Sequence, residues 1–248
     1  MSIEREIAFR ANFMVNGLQA IVTTGAGLVT IGVVYRQTDD LGGWRIGEAL
    51  VLLGTFQIVS GVLVTFIEPS LQWFANGIKT GQLDEKLLKP IASLFLASLG
   101  THAPFGLVQA ILGAGLVIAG QGETGNALVT WNIVGYLAML TSGVALTWAT
   151  RVGIAIVALW APSVELDVVY DAVWQFARYP VTIYGQPLRF ALSWVIPLVF
   201  VSTVPARALT SGIGVTTFLA ATVVAVAAML LVRDVWTLGL KRYTSATS

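Results

Sequence analysis

The chain has 248 residues, 56% of them hydrophobic and only 11% charged, with a mean hydropathy of +0.80. A soluble domain carries roughly a quarter charged residues, so water cannot be the main solvent for this surface, and several uncharged runs approach the ~20 residues that cross a bilayer. A formal net charge of +1 gives no reason to expect nucleic acid as a partner, and the absence of cysteine excludes disulfides and thiolate metal sites.

Residues 1–12 are polar and no apolar stretch with a small-residue cleavage site follows, so the first apolar run is expected to stay in the mature protein. Residues 2–14 fit a short amphipathic helix with Ser2 as N-cap and Ile3, Ile7, Ala11 and Met14 along one face. Such a helix either lies on the membrane surface or simply opens the first span; the pattern weighs the two equally. Residues 13–35 are free of charge and form that span, followed by a polar turn over 36–45. It must be helical, because a lone strand in lipid leaves its amides unpaired and nothing alternates as a barrel would.

The second span is expected over 49–67, closed by Glu68 and Pro69 and flanked by Trp44 and Trp73 as interfacial anchors. Residues 91–119 are uncharged over a length greater than crossing needs, with a bend expected at Pro104. The fourth span covers 127–149, with Trp131 and Trp148 near its ends. Residues 152–162 are apolar but cut off by Arg151 and too short to cross. Residues 165–189, with three acids, two arginines, Pro180 and Pro187, read as a short polar helix and an irregular loop. A fifth span over 188–209, broken by Pro197 and Pro205, and a sixth over 212–232 complete one membrane domain over 1–248. The expected fold is an all-α integral membrane protein with six transmembrane helices.

Basic residues orient it. With both termini on the cytoplasmic side of the inner membrane, Arg5, Arg10, Lys79, Lys86, Lys89, Arg151, Arg178, Arg189, Arg233, Lys241 and Arg242 fall inside. Only Arg36, Arg45 and Arg207 fall outside.

Several chemistries are missing. No Gly-Lys dipeptide occurs, so the chain has no phosphate loop of its own and is not expected to be an enzyme. His102 is the one histidine, read as a packing or hydrogen-bonding group, and no set of His, Cys or acidic residues converges for a metal. The Thr141-Ser142-Gly143 and Thr210-Ser211-Gly212 triplets suit close helix packing better than nucleophilic catalysis. Acids are absent from the assigned spans, with Glu48 and Glu68 only at the ends of the second, which weighs against an ion-coupled carrier.

The link between spans two and three is the most purposeful segment. Asp84 can cap a short helix in which Leu83, Leu87 and Leu88 form an apolar face beside Glu85, Lys86 and Lys89, the design of a docking element or of an ordinary surface turn. The run Gly81-Gln82-Leu83-Asp84 with Leu87-Leu88-Lys89-Pro90 resembles the inter-span loop of bacterial ABC transporter permeases of the type-2 exporter class. Phe176-Ala177-Arg178-Tyr179-Pro180 through Ile183-Tyr184, Ile196-Pro197 with Pro205-Ala206, and the tail 242–245 are similar to the same group. Lys89 stands where that family commonly has arginine. The resemblance implies a six-span half of a dimeric export pore, with a cytoplasmic coupling helix at Gly81, Leu83, Asp84, Glu85, Leu87, Leu88, Lys89 and Pro90. It also implies separate ABC ATPase subunits that bind the ATP and Mg, and a second permease chain, the same or homologous.

Within the spans, Asn16, Gln19, Thr23, Gln57, Ser60, Gln109 and Asn132 are the polar residues that could line a pathway, although their hydroxyl and amide groups also join helices, and that packing reading comes first. A lining without fixed charge suits a drug-like or lipid-like amphiphile. An ion-coupled secondary carrier and a noncatalytic membrane scaffold are the competing readings.

Overall fold

The computed structural model describes residues 3–80, 92–157, 159–160 and 166–242, and all regular structure among them is helical. The segment expected to dock an ATPase, 81–90, lies outside the described residues.

Helix α1 runs unbroken over Ile3–Val34, so the amphipathic N-terminal segment is its first turns and not a separate element. At ~1.5 Å per residue it is longer than a ~30 Å hydrocarbon layer requires, and its membrane-compatible part begins at Arg10. Helix α2, Ile46–Val62, begins at Arg45, whose backbone N–H donates to the Glu48 carboxylate at 2.9 Å, satisfying one of the orphan donors of a helix start.

Glu68 and Pro69 do not close the second span. The helix passes through a π-turn at Leu63–Ile67 into α3, Glu68–Thr80. Proline has no N–H and its ring crowds the carbonyl four residues back, which here belongs to Thr65. The wider turn relieves that crowding, and the freed Thr65 carbonyl accepts from the Ala103 N–H at 2.9 Å. Ser70 pins the same connection, donating to the Thr101 carbonyl and accepting from its N–H.

The long third apolar run is divided. Helix α4 is Ser93–Leu99, a turn follows, and Pro104 opens a 3-10 turn, Pro104–Gly106, leading into α5, Leu107–Thr124. The crossing therefore begins at Pro104, later than the 91 expected. His102 lies exposed in the turn. Gly125, at φ 67°, closes α5 in the left-handed region.

Helix α6, Thr130–Val157, continues straight through Arg151, which is only 6% exposed. Helix α7, Leu166–Trp174, and 3-10 turns at Gln175–Arg178 and Val181–Ile183 come next. Then α8, Gln186–Phe190, leads through a π-turn, Ala191–Val195, and a 3-10 turn, Leu198–Phe200, to α9, Thr203–Thr210. Helix α10, Val215–Arg242, ends the described chain.

The fifth span is not where hydropathy put it. The two arms Gln186–Val195 and Leu198–Thr210 bend by 73°, and neither reaches across ~30 Å. Just before the first arm, Thr182 donates to the Gly42 carbonyl at 2.8 Å. On the second, Arg207 donates to the Gly43 carbonyl at 2.7 Å and the Thr210 carbonyl accepts from Asn126. Both ends of the pair thus sit against the turns joining α1 to α2 and α5 to α6, while its tip packs at Gly143, halfway along α6. The pair is a re-entrant hairpin, and the fifth crossing is built from 166–183. Arg189 accordingly belongs to the Gly42 half of the molecule. Pro197 lies at the hairpin tip, and Pro205 is tolerated in the first turn of α9, where its missing N–H is not needed.

Trp44 is no interfacial anchor: it is fully buried, with the Arg207 guanidinium 4.1 Å above its ring. Trp148 is likewise drawn inward, donating to Ser98 at 3.1 Å, whereas Trp131 is 70% exposed as an anchor should be.

The tightest packing joins α2 to α5. Gly47, Gly54 and Gly61 recur every seventh residue on one helix, and Gly120, Gly113 and Gly106 face them pairwise on the antiparallel other. A Cβ on Gly54 would stand 2.6 Å from the Gly113 carbonyl, one on Gly113 equally close to that of Gly54, and one on Gly106 closer still to that of Gly61. In lipid no water is released by helix contact, so backbone approach through small residues is what holds a pair.

Candidate functional site

A cleft of about 420 Å³ opens between α1, the α2–α3 helix, the start of α5 and the fifth crossing. Asn16, Gln19 and Thr23 reach it from one face of α1, Ser60 from α2, and Gln109 from α5. These are five of the seven polar residues selected from the spans. Polar groups inside apolar helices are expensive unless paired or hydrated, which is why they converge here.

The other two are elsewhere. Gln57, 1% exposed, stands behind the wall, donating to Thr24 of α1 and accepting from Gln109 at 2.9 Å, so it ties three helices together. Asn132 is far off at the Gly42 end, donating to the Leu209 carbonyl at 3.3 Å to satisfy the last turn of the hairpin. The eight residues Gly81, Leu83, Asp84, Glu85, Leu87, Leu88, Lys89 and Pro90 lie outside the described residues.

The floor of the cleft carries charge that hydropathy concealed. Arg151 of α6 bonds Asp171 of α7 at 2.5 Å and stands 3.6 Å from Glu68 of α3. Its guanidinium also lies 4.5 Å from the Tyr170 ring centroid, and the Tyr170 hydroxyl shares a 2.9 Å hydrogen bond with Thr150. Glu68 thus lies inside a membrane-compatible helix, Ile46–Phe74, and not beyond its end. Glu68, Arg151 and Asp171 also border a second cavity, of about 350 Å³, that reaches Gln72 and Asn76 on α3.

An aromatic column links this cluster to a second cation. Tyr170 stacks on Trp174 at 5.9 Å, Trp174 meets Phe56 at 5.6 Å, and the Arg178 guanidinium lies 5.4 Å from the Phe56 centroid. The Trp174 indole N–H donates to Ser60 at 3.2 Å, fixing the column against α2. Cation–π attraction grows when the groups are desolvated, so each end of the column suits a guanidinium.

Sequence reasoning missed Glu68, Arg151, Asp171, Gln175 and Arg178 as cleft residues. The available signal was the acidic pair Asp167 and Asp171, in the first and second turns of an otherwise apolar helix, opposite a lone arginine in an uncharged run.

A family model described as ABC-2 family transporter protein matches residues 21–247. No curated protein and no solved structure matches the chain. The match takes in Thr23 on α1, Arg178 on the fifth crossing, the re-entrant hairpin and α10, and begins after Asn16 and Gln19. The chain belongs to the ABC-2 transporter family and is a membrane-spanning permease component of an ABC transporter.

Proposed function

We propose that this permease forms half of a dimeric export pathway, moves an amphiphilic small molecule or lipid-like compound along the cleft, and takes its energy from separate ATPase subunits. The second permease is another copy or a homologue. Both termini and the 81–90 segment face the cytoplasm of the inner membrane, where Gly81, Leu83, Asp84, Glu85, Leu87, Leu88, Lys89 and Pro90 meet the ATPase; that partner binds the ATP and Mg, and lipid surrounds the assembly.

One observation supports coupling above the others. The helix that supplies Ser60 and Glu68 to the cleft continues without a break to Thr80, immediately before the docking segment. A push at the ATPase therefore has a stiff path to the cleft floor, a mechanism that needs no diffusing messenger.

The test is a pair of variants in that segment. Leu87→Glu puts a carboxylate into an apolar helix-in-groove contact at a cost of several kcal/mol, whereas Asp84→Ala loses a cap worth roughly 1 kcal/mol. Leu87→Glu is expected to abolish both co-purification of the ATPase and ATP-driven efflux from vesicles, with Asp84→Ala only weakened. Full retention of partner and efflux by Leu87→Glu would remove the coupling role. The Glu68–Asp171 pair is what an ion-coupled carrier would use; efflux collapsed by a protonophore but indifferent to ATP depletion would favour that reading.

A further inference from the structure

The polar cleft does not end at Arg178. Gln175 and Arg178 are also part of the wall of a neighbouring cavity of about 490 Å³, enclosed by the far end of α1, the turn after it and residues 176–184. Both volumes fall in the range of roughly 300–1,000 Å³ usual for ligand sites. Their chemistry differs. In the second compartment the hydroxyls of Thr30, Tyr35 and Tyr184 are all turned onto backbone carbonyls, of Ala26, Trp44 and Phe176. Burial, with lesser repulsion from Asp40 and Glu48, pushes the Tyr35 hydroxyl up to about 12, so it stays a neutral donor. What this compartment offers a guest is carbon.

Arg178 stands at the junction, and no carboxylate among the described residues pairs with it. Glu68 and Asp171 are engaged by Arg151 on the cleft floor, the Arg178 Nε is buried without a hydrogen bond, and its guanidinium is held over Phe56. The side chains of Gln19 and Gln175, which line the same cleft, make no hydrogen bond among the described residues either. A cation at this depth without a counter-charge is costly, and a polar room next to an apolar one is the shape of a molecule with a head and a tail.

We propose that the two compartments form one site for an amphiphilic anion, with a phosphate or carboxylate head on Arg178 and an apolar chain running past Val34 and Ile183. This deepens the transport reading and rests on it for the fate of the ligand, while binding itself is measured with no ATPase present.

The full chain, purified in dodecyl maltoside, is titrated calorimetrically with dodecyl phosphate, dodecanol, dodecylammonium and inorganic phosphate. Dodecyl phosphate is expected to bind saturably and at least ~10-fold tighter than each of the other three, because a charge-assisted contact and chain burial act together. Arg178→Gln should remove that preference and Arg178→Lys should keep part of it, since a lysine retains charge but not the planar fork. Val34→Trp, which fills the apolar compartment and leaves Arg178 in place, should weaken dodecyl phosphate ~10-fold without altering the response to phosphate. Displacement by phosphatidylglycerol assigns the site to a bilayer lipid; failure to displace assigns it to a single-chain ligand, and either keeps an anionic amphiphile there. Equal binding of the anionic, neutral and cationic chains overturns the proposal, as does phosphate binding as tightly as dodecyl phosphate. An Arg178→Gln chain that binds normally but shifts between monomer and dimer would show that a second copy covers Arg178, and the proposal falls. Binding that holds while ATP-driven export of dodecyl phosphate fails supports the site and counts against the transport reading alone.

Discussion

The two sides of α2 are packed on opposite principles. Toward α5 it presents glycines every seventh residue, and backbone meets backbone with no room for a methyl group. Toward α1 it presents Phe56 and Ser60 to an open cleft, continued by Glu68 of α3, and α1 answers with Asn16, Gln19 and Thr23. The glycines of α1 are mostly loose: Gly17, Gly25 and Gly32 would each meet nothing within 4 Å on gaining a Cβ, and Gly27 would meet the movable end of the Leu53 side chain at 3.0 Å, not a backbone. One face of the helix is therefore a fixed joint and the other a wall that can part. A protein that must open a path without falling apart needs both, since closely packed interfaces are stiff and loosely packed ones admit alternative arrangements.

The comparison breaks most severely at the cleft floor. Arg151→Met removes the buried member of the cluster and leaves Glu68 and Asp171 without their cation; because both acids are partly exposed, the cost falls below that of a fully buried pair, at about 2–3 kcal/mol. The expected outcome, read by thermal unfolding in detergent, is a chain that loses its monodisperse fold well below the wild type. Asp171→Asn, which leaves Glu68 to balance Arg151, is expected to cost less, because Asp171 is the more exposed acid. If Arg151→Met is as stable as the wild type, the cluster is not a structural fastening.

Gly54→Ala sharpens the dry side. Its new methyl would stand 2.6 Å from the Gly113 carbonyl and 2.8 Å from the Val117 amide, obstacles that cannot rotate away. Overpacking of this kind costs about 1–3 kcal/mol, more than the ~1 kcal/mol alanine gains over glycine in a helix, so a lower melting temperature is expected. Gly25→Ala is the matched control with the smallest effect and the opposite sign. With open space around it, the same exchange should be neutral or stabilising by up to about 1 kcal/mol, and a marked loss there would show α1 to be packed as tightly as α5.

Charge-free length revealed α1, α2, α5, α6 and α10, because an uncharged run near 20 residues has few other homes. Two residues defeated the boundaries. Pro69 looks like a stop, yet a π-turn carries the helix past it. Arg151 looks like a stop, yet its partner Asp171 is supplied 20 residues later and Glu68 much earlier. Hydropathy also carries no direction, so a hairpin that enters and leaves by one face reads as a span, while the true crossing at 166–183 is disguised by the acids that Arg151 neutralises. The same disguise hid half the cleft. Asn16, Gln19, Thr23, Ser60 and Gln109 could be picked out because they interrupt apolar runs, but Arg178 and Asp171 fell in a stretch that looked aqueous. The glycine seam was legible all along, as two sets of glycines at a spacing of seven, and only the pairing of the sets needed three dimensions.

The π-turn at Leu63–Ile67 does more than admit a proline. Continuing the interval of seven beyond Gly47, Gly54 and Gly61 arrives at Glu68, so an uninterrupted α-helix would aim a carboxylate along the line of the glycine seam, one step past its closest contact at Gly61 and Gly106. The π-turn adds one residue to the winding, and each residue of an α-helix advances the angle by about 100°. That single added step turns Glu68 out of the seam toward Arg151. One helix thereby keeps two angular settings along its length, and the proline that seems to threaten it marks the place where the setting changes.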